Sequence, residues 1–187
     1  MKIYTKVGDE GKTAFFGCGM VQKDDPRIEA FGSLDELNSM LGVTLCFAEN
    51  ERLRSILMKI QNDLFTLGSD LAGSALPNSA LPKISSEHIT EIEGVIDELQ
   101  EKLGMPKKFI LPGGTVASAH LHMCRAIARR AERNLVSVKQ LLNLNPLMFH
   151  YINRLSDLFY VLARQENKEV EINEQQPIYK YFEEKQE

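Results

Sequence analysis

The 187-residue sequence is poor in cysteine and has no long apolar run. Cys18, Cys46 and Cys124 are too few and too scattered for a disulfide framework, and no two of them form a C-x-x-C pair. No apolar stretch approaches the ~20 residues that a membrane span needs, and the charged amino terminus lacks the apolar core of a secretory signal. We therefore expect a soluble, cytoplasmic protein kept in a reducing compartment.

An excess of positive charge is also absent. The sequence has 22 Lys and Arg against 26 Asp and Glu, which gives a net charge of −4 and a pI near 5.7. This balance provides no overall positive field for nucleic acid or an anionic membrane, so an anionic ligand must meet a local basic cluster. His120 and His122 lie about 200° apart on a helix and cannot jointly chelate one ion. We expect no nucleic-acid partner, no membrane association and no histidine metal site.

Hydrophobic periodicity predicts an all-α fold, an up-and-down bundle of about five helices. The chain is long enough for one sizeable core but not for a second full domain. Apolar residues recur at spacings of three and four along five segments, and capping residues, Pro or Gly stand at their ends. The predicted helices run from Pro26 to Leu45, from near Asn50 to just before Gly73, from Ser85 or Ser86 to Gly104, from about Thr115 to Leu142, and from Pro146 to Asn167.

The chain is expected to form a single domain over residues 1–187. It divides into an amino-terminal loop (1–24), the helical bundle (25–167) and a carboxy-terminal tail (168–187) with a weak helix after Pro177. The first 24 residues are rich in Gly and polar residues, and their only β-prone stretch is Ile3 to Thr5. Because no alternation of useful length is found, we predict a loop there and no strands.

Residues 5–13, TKVGDEGKT, are the first cluster with chemical character. They are not a Walker phosphate loop, because the first Walker glycine would fall on Lys6 and the required strand and helix are missing. Two glycines, two hydroxyls and two lysines in nine residues can still direct backbone N–H groups toward one anion, for which a polyphosphate is the natural ligand. The alternative is a flexible surface arm with turn glycines.

The fourth predicted helix carries a polar stripe rich in arginine. Five side chains fall within about 100° of arc, with Arg130 at the border: His122, Arg125, Arg129, Glu132 and Arg133. The opposite arc is expected to pack into the bundle and consists of Met123, Cys124, Ile127, Ala128 and Ala131. Arginine presents a fixed fork of donors, so the stripe indicates a phosphate or carboxylate site. The alternative is a solvated face with ion pairs such as Arg129–Glu132.

Two further helices carry polar stripes. The fifth helix has Asn153, Asp157, Tyr160 and Arg164 at i, i+4, i+7 and i+11, behind an apolar face, and polar groups inside a bundle are costly unless they are satisfied. The first helix has Ser33, Asp35, Glu36 and Asn38, which simple exposure would explain equally well. Together with the loop, the three stripes indicate a binding site.

Five blocks resemble, in order and spacing, the signatures of PduO-type ATP:cob(I)alamin adenosyltransferases. They span about residues 1 to 165 and read TKVGDEGKT, KDDPRIEAFGSLDELNSMLG, FILPGGT, RAIARRAER and YINRLSDLFYVLAR. The resemblance implies a ferritin-like five-helix bundle that transfers the 5′-deoxyadenosyl group of ATP to the cobalt of cob(I)alamin. Two other classes are a non-catalytic helical ATP-binding or scaffold module, and a nucleic-acid binder, which the acidic balance disfavours.

The resemblance also implies a site between the subunits of a homotrimer. By this likeness ATP is bound by Thr5, Lys6, Gly8, Asp9, Gly11, Lys12, Thr13, Lys23, Arg129, Arg130, Glu132, Arg133 and Asn153. Four residues are implied to take part in catalysis: Phe109 beneath the corrin ring, Asp35 and Arg125 as a pair bridging neighbouring subunits, and Arg129. Mg²⁺ and K⁺, a flavin-type reductase, and a cobalamin-dependent enzyme that receives the product complete the implied partners.

Phe109 has two interpretations. From its place before LPGG it is a buried loop aromatic, whereas the resemblance places it under the cobalt, where it would exclude a lower axial ligand.

Overall fold

The computed structural model describes residues 2–106 and 108–179, and within them five helices form a bundle. The helices are α1 (Pro26–Leu45), α2 (Glu51–Gly73), α3 (Ser86–Leu103), α4 (Val116–Ser137) and α5 (Pro146–Glu169). The predicted all-α bundle is therefore confirmed. None of the helices in the described ranges is long and apolar enough to cross a membrane.

Polar caps define the starts of the helices. The side chains of Asp25, Asn50, Thr115 and Asn145 each accept a hydrogen bond from a backbone N–H in the first turn of the helix that follows. These bonds satisfy donors that a helix leaves without an intrahelical partner. Pro26 and Pro146 occupy first helical positions, where the missing N–H costs nothing.

The hydrophobic core draws on all five helices. α4 packs against both α1 and α5, α3 packs against α5, and α2 packs against α1. A buried polar cluster joins α2 to α5, because Tyr151 Oη donates to Asp63 Oδ2 at 2.9 Å and Lys59 Nζ lies 2.6 Å from the same oxygen. Burial and the neighbouring Asp63 carboxylate raise the pKa of Tyr151.

The amino-terminal arm is not the strandless loop that we predict from the sequence. Strands β1 (Lys12–Phe15) and β2 (Gly19–Gln22) form an antiparallel hairpin in which Lys12 pairs with Gln22 and Phe15 with Gly19. The strands have four residues each, and Phe15 is their one buried side chain, so no alternation was visible. Gly17 and Gly19 turn the chain with φ of 79° and 72°.

α4 ends at Ser137, five residues before the predicted end at Leu142. The chain tightens there, with Val138 N–H donating to Leu135 O at 3.3 Å and Leu141 N–H donating to Val138 O at 2.9 Å. Val138 and Leu142 are buried in these turns, so the apolar spacing of a helix continues beyond the helix itself. The predicted helix after Pro177 is absent as far as Tyr179, and its remainder lies outside the described residues.

Glu166 on α5 generates a pH-dependent stability. Burial, and then Glu169 and Glu49, raise its pKa from 4.5 to about 7. Between pH 4.5 and about 7, the folded chain keeps a proton on Glu166 that the unfolded chain has released. The free energy of unfolding therefore falls as the pH rises through this window. The Glu166 carboxyl is only half-buried, so solvent screening reduces the effect. We expect Glu166→Gln to raise the free energy of unfolding by about 1 kcal/mol at pH 8 and to leave it unchanged at pH 4. Thermal unfolding with Glu101→Gln as the exposed control measures this; equal gains at both pH values would contradict it.

Candidate functional site

The segment from Thr5 to Thr13 is folded by its own backbone. Asp9 N–H donates to Lys6 O at 3.2 Å, and Gly11 N–H donates to Gly8 O at 3.3 Å. Lys6 and Gly11 adopt positive φ values of 63° and 76°. These bonds and turns give the segment a defined fold in which Gly11 turns the chain, and the binding of an anion by this segment stays a prediction.

Lys23, the residue that follows β2, contacts this segment. Its N–H donates to Gly11 O at 2.8 Å, and a Cβ added at Gly8 would lie 3.2 Å from Lys23 Nζ. The side chains of Lys6, Lys12 and Lys23 are exposed, and none makes a hydrogen bond or an ion pair with another described residue. The segment thus carries three exposed ammonium groups, of which Lys23 Nζ lies next to Gly8.

Arg27 anchors the hairpin to the bundle. Its guanidinium donates to both oxygens of Asp25, at 2.8 and 2.6 Å, and lies 5.7 Å from the centroid of the buried Phe15 ring. The Arg27 hydrogen bonds lower the pKa of Asp25 to about 2. On the other side, Gly17 lies so close to Leu76 that a Cβ there would approach it to 2.9 Å. The position of the loop is therefore set by α1 and by the α2–α3 connection.

The arginine-rich face of α4 is exposed. Arg129 and Arg133 are exposed, and Arg133 Nη1 donates to Arg129 O at 2.9 Å. Glu132 accepts a hydrogen bond from Asn153 Nδ2 at 3.1 Å, which brings the stripes of α4 and α5 together. Arg130 instead pairs with Glu36 of α1. The possible Arg129–Glu132 ion pair is not among those of the described residues.

His122 and Met123 are placed differently from our prediction. His122 is 5% exposed and packs edge-on against Tyr160 at 6.2 Å, whereas Met123 is 53% exposed. Because α5 covers the His122 side of α4, the helix is rotated so that His122 leaves the solvent-facing stripe. Both ring nitrogens of His122 and Nε of Arg125 are buried, and none of the three atoms has a hydrogen-bond partner among the residues that the structure describes. Burial, and then the Arg125 charge, lower the pKa of His122.

Asp35 and Arg125 do not meet within one chain. Asp35 is exposed on α1 and lines an apolar pocket of about 310 Å³ between α1 and α2, together with Phe31, Phe65 and Asn38. No ion pair or hydrogen bond joins Asp35 to Arg125 in the part of the chain that the structure describes. Nor does one join the loop at residues 5–13 to the α4 face. Within the described residues, no hydrogen bond or ion pair therefore joins the predicted loop residues to those of α4, or Asp35 to Arg125.

Phe109 is 80% exposed on the connection between α3 and α4. The interpretation as a buried loop aromatic is wrong for the single chain. Asn167 is a contact that the sequence did not reveal: it is 3% exposed, and its amide holds this connection in place. The one feature of the sequence that could have indicated Asn167 is its place as a polar residue three positions after Arg164, on the buried side of α5.

No three His, Cys, Asp or Glu residues of the described ranges form a group that could hold a metal ion. We therefore assign no metal ligands.

Comparisons with known proteins agree on one family. The cobalamin adenosyltransferase family model matches residues 3–166. Corrinoid adenosyltransferase PduO of Citrobacter freundii is 42% identical over 174 residues, which cover 92% of this chain and 52% of that protein. The chain thus spans about half the length of this curated relative. A second corrinoid adenosyltransferase of Citrobacter freundii is 42% identical over 166 residues, covering 88% of this chain and 94% of that protein.

The fold agrees with a solved structure as well. A phenylalanine-to-alanine variant of a PduO-type ATP:corrinoid adenosyltransferase from Lactobacillus reuteri, complexed with cobalamin and ATP, superimposes with a TM-score of 0.87 at 36% identity. The match covers 95% of this chain and 100% of that one.

The exposure of Phe109 makes a direct prediction about stability. Phe109→Ala removes no buried contact, so the free energy of unfolding should stay within about 0.5 kcal/mol of wild type. Phe159→Ala, which truncates a fully buried ring on α5, should lose about 3–5 kcal/mol. Urea unfolding of dilute protein measures both; a loss of several kcal/mol in Phe109→Ala would show that the ring is buried in solution.

Proposed function

The chain belongs to the cobalamin adenosyltransferase family, and we propose that it transfers the 5′-deoxyadenosyl group of ATP to the cobalt of a reduced corrinoid. The observation that carries the proposal is the convergence of residues distant in sequence: Glu132 of α4 accepts from Asn153 of α5, beside the exposed Arg129 and Arg133. Arg129 and Arg133 offer guanidinium donors that suit an anionic ligand on an otherwise acidic protein, and the Glu132–Asn153 pair lies beside them.

ATP binding is divided between two surfaces in this proposal. The loop, with Thr5, Lys6, Gly8, Asp9, Gly11, Lys12 and Thr13, and Lys23 bind the triphosphate through backbone N–H groups and ammonium charges. The α4 face adds Arg129, Arg130, Glu132 and Arg133, and α5 adds Asn153. Arg130 must leave or share its Glu36 ion pair to contact a nucleotide, and since both side chains are exposed this costs about 1 kcal/mol or less.

The reaction is a nucleophilic displacement. The electron pair of cobalt(I) attacks C5′ of ATP, a Co–C bond forms, the C5′–O bond breaks, and its electrons leave with the triphosphate. One electron from a flavin-type reductase first converts cobalt(II) to cobalt(I). Arg129 and its neighbours neutralise the charge that gathers on the leaving triphosphate. One donor of this kind stabilises a transition state by ~2.7–4 kcal/mol. No covalent intermediate on the protein is required.

Phe109 serves the reduction step. An exposed ring on a supported loop can cover the lower face of a corrin and exclude the axial ligand, which leaves a four-coordinate cobalt(II) that is easier to reduce. Water is excluded from the same face, which protects cobalt(I) from side reactions. The exposure of Phe109 in the single chain supports this role because the ring is available for contact.

The remaining partners are proposed from the resemblance. We propose a homotrimer in which Asp35 of one subunit meets Arg125 of the next, a cobalamin-dependent enzyme that receives the product, and a cytoplasmic location. Mg²⁺ would arrive with the nucleotide and supply charge neutralisation, and K⁺ is a further implied ion. The shared site is supported by the Arg125 Nε atom, which is buried and has no hydrogen-bond partner among residues 2–106 and 108–179.

The deciding experiment is an adenosylation assay with reduced cobalamin and ATP, followed by the appearance of a light-sensitive Co–C bond. Arg129→Ala should lower kcat/KM for ATP by about tenfold or more, because a hydrogen bond to a charged group is worth ~1.5–3 kcal/mol. Arg52→Ala, which breaks an exposed pair with Glu98 on α2 and α3, is the matched control and should be neutral. ATP binding without any Co–C product would instead establish a non-catalytic binding module.

A mixing experiment tests the site between subunits. Lys12→Ala damages the loop surface and Arg129→Ala damages the α4 surface, so each homogeneous trimer should be weak. After unfolding and refolding an equal mixture, about a quarter of the interfaces should pair two intact surfaces and recover activity. Light scattering gives the assembly state. A monomer that turns over, or a mixture no better than its components, would rule out the shared site.

A further inference from the structure

The connection that carries Phe109, described over residues 104–106 and 108–115, is held at both ends by buried side chains of α5. Arg164 Nη1 donates to Gly104 O at 2.8 Å. The Asn167 amide donates through Nδ2 to Gly113 O at 3.0 Å and accepts through Oδ1 from Thr115 N–H at 3.0 Å. Arg164 is 8% exposed and Asn167 is 3% exposed. Buried polar groups are costly unless they are hydrogen-bonded, and here their partners are the backbone of this connection.

The backbone lies directly on the Asn167 amide. A Cβ added at Gly114 would overlap the Asn167 side-chain amide, and Gly114 has a φ of 110°. Glycine is therefore required at this position for both space and conformation. Such close contact leaves the end of the connection little freedom to shift.

The carboxy-terminal segment supplies a third support. Leu111 N–H donates to Gln175 O at 2.7 Å, only two residues from Phe109. The same α5 residues hold this segment, since Arg164 Nε donates to Glu174 Oε1 at 2.9 Å and Ile172 N–H donates to Asn167 O at 2.9 Å. Arg164 and Asn167 thus organise both the connection and the segment that crosses it.

The backbone of the connection is anchored, whereas its large apolar side chains Met105 and Phe109 are exposed. Met105 is 73% exposed and Phe109 is 80% exposed, so neither contributes to holding the connection in place. Buried polar groups hold the backbone in place, while the Phe109 ring that it carries is largely exposed. This arrangement makes the ring available for contact with a ligand.

We propose that Asn167 and Arg164 are positioning residues that set the placement of Phe109 against a bound corrinoid. The inference rests on the proposed function, in which Phe109 excludes the lower axial ligand of cobalt. A displacement of about 1 Å at the anchor would let that ligand return, and misplacements of this size cost up to about a hundredfold in rate.

The test uses Asn167→Ala, which removes both side-chain bonds to the connection. Backbone amide exchange should become faster at Thr115, and ATP affinity should be unchanged because Asn167 contacts no proposed nucleotide residue. With ATP and cob(II)alamin bound, the magnetic-resonance signal of four-coordinate cobalt(II) should fall, and turnover from cob(II)alamin should drop about tenfold or more. Turnover from chemically pre-reduced cob(I)alamin should drop less.

Two further variants separate positioning from stability. Asn167→Asp keeps the size and the acceptor for Thr115 but loses the donor to Gly113, and it serves if Asn167→Ala does not fold. Asn145→Ala removes a comparable amide at the other end of α5, where Nδ2 donates to Asp70 Oδ2 and Ile84 O, both at 2.8 Å. This control should lower stability while leaving the cobalt signal intact. In a Phe109→Ala background, Asn167→Ala should have no further effect on the signal.

The outcomes are distinguishable. A wild-type cobalt signal in folded Asn167→Ala, or unchanged exchange at Thr115, would overturn the positioning role. A wild-type signal in Phe109→Ala would refute the role of Phe109 in the proposed function and the positioning role with it. Absence of adenosylation by the wild type would refute the proposed function, whereas the exchange rate at Thr115 would still report whether Asn167 anchors the connection.

Discussion

The packing of α4 between α1 and α5 fixes the direction of the side chains on which the candidate site depends. Ala128 and Ala131 are fully buried on one side of α4, where their small side chains let the neighbouring helices approach closely. Once that side is buried, the regular rotation of about 100° per residue places Arg129 and Arg133 in solvent. A different rotation of α4 would bury arginines or expose the core, and either change is costly.

α5 contacts both the arginine-rich face of α4 and the connection that carries Phe109. Asn153 contacts Glu132 beside the arginines, and Asn167, fourteen residues later, holds the connection that carries Phe109. At 1.5 Å per residue these positions lie about 21 Å apart along one rigid helix. The proposed nucleotide surface and the anchored end of the connection therefore keep a fixed relation, although they belong to distant parts of the sequence.

The polar groups left unsatisfied support the view that a single chain is only part of the working unit. In the described part of the chain, neither ring nitrogen of His122 has a hydrogen-bond partner, and Arg125 Nε is likewise buried without one. Native proteins satisfy most such groups, so each one calls for an explanation. A neighbouring subunit that brings Asp35 to Arg125 would supply one of the missing partners.

The sequence by itself determined the helices, because the apolar spacing of three and four and caps such as Asp25, Asn50 and Thr115 are local signals. It also indicated the family and the set of candidate residues, because the motifs that resemble the family are contiguous stretches of the sequence. The hairpin escaped notice because four-residue strands with one buried side chain give no readable alternation. Only the tertiary structure decided that His122 turns inward and Met123 outward, since the rotation of α4 depends on what α5 covers. The same holds for Phe109 and Asn167: burial depends on which distant segments meet, and a local pattern does not contain that information.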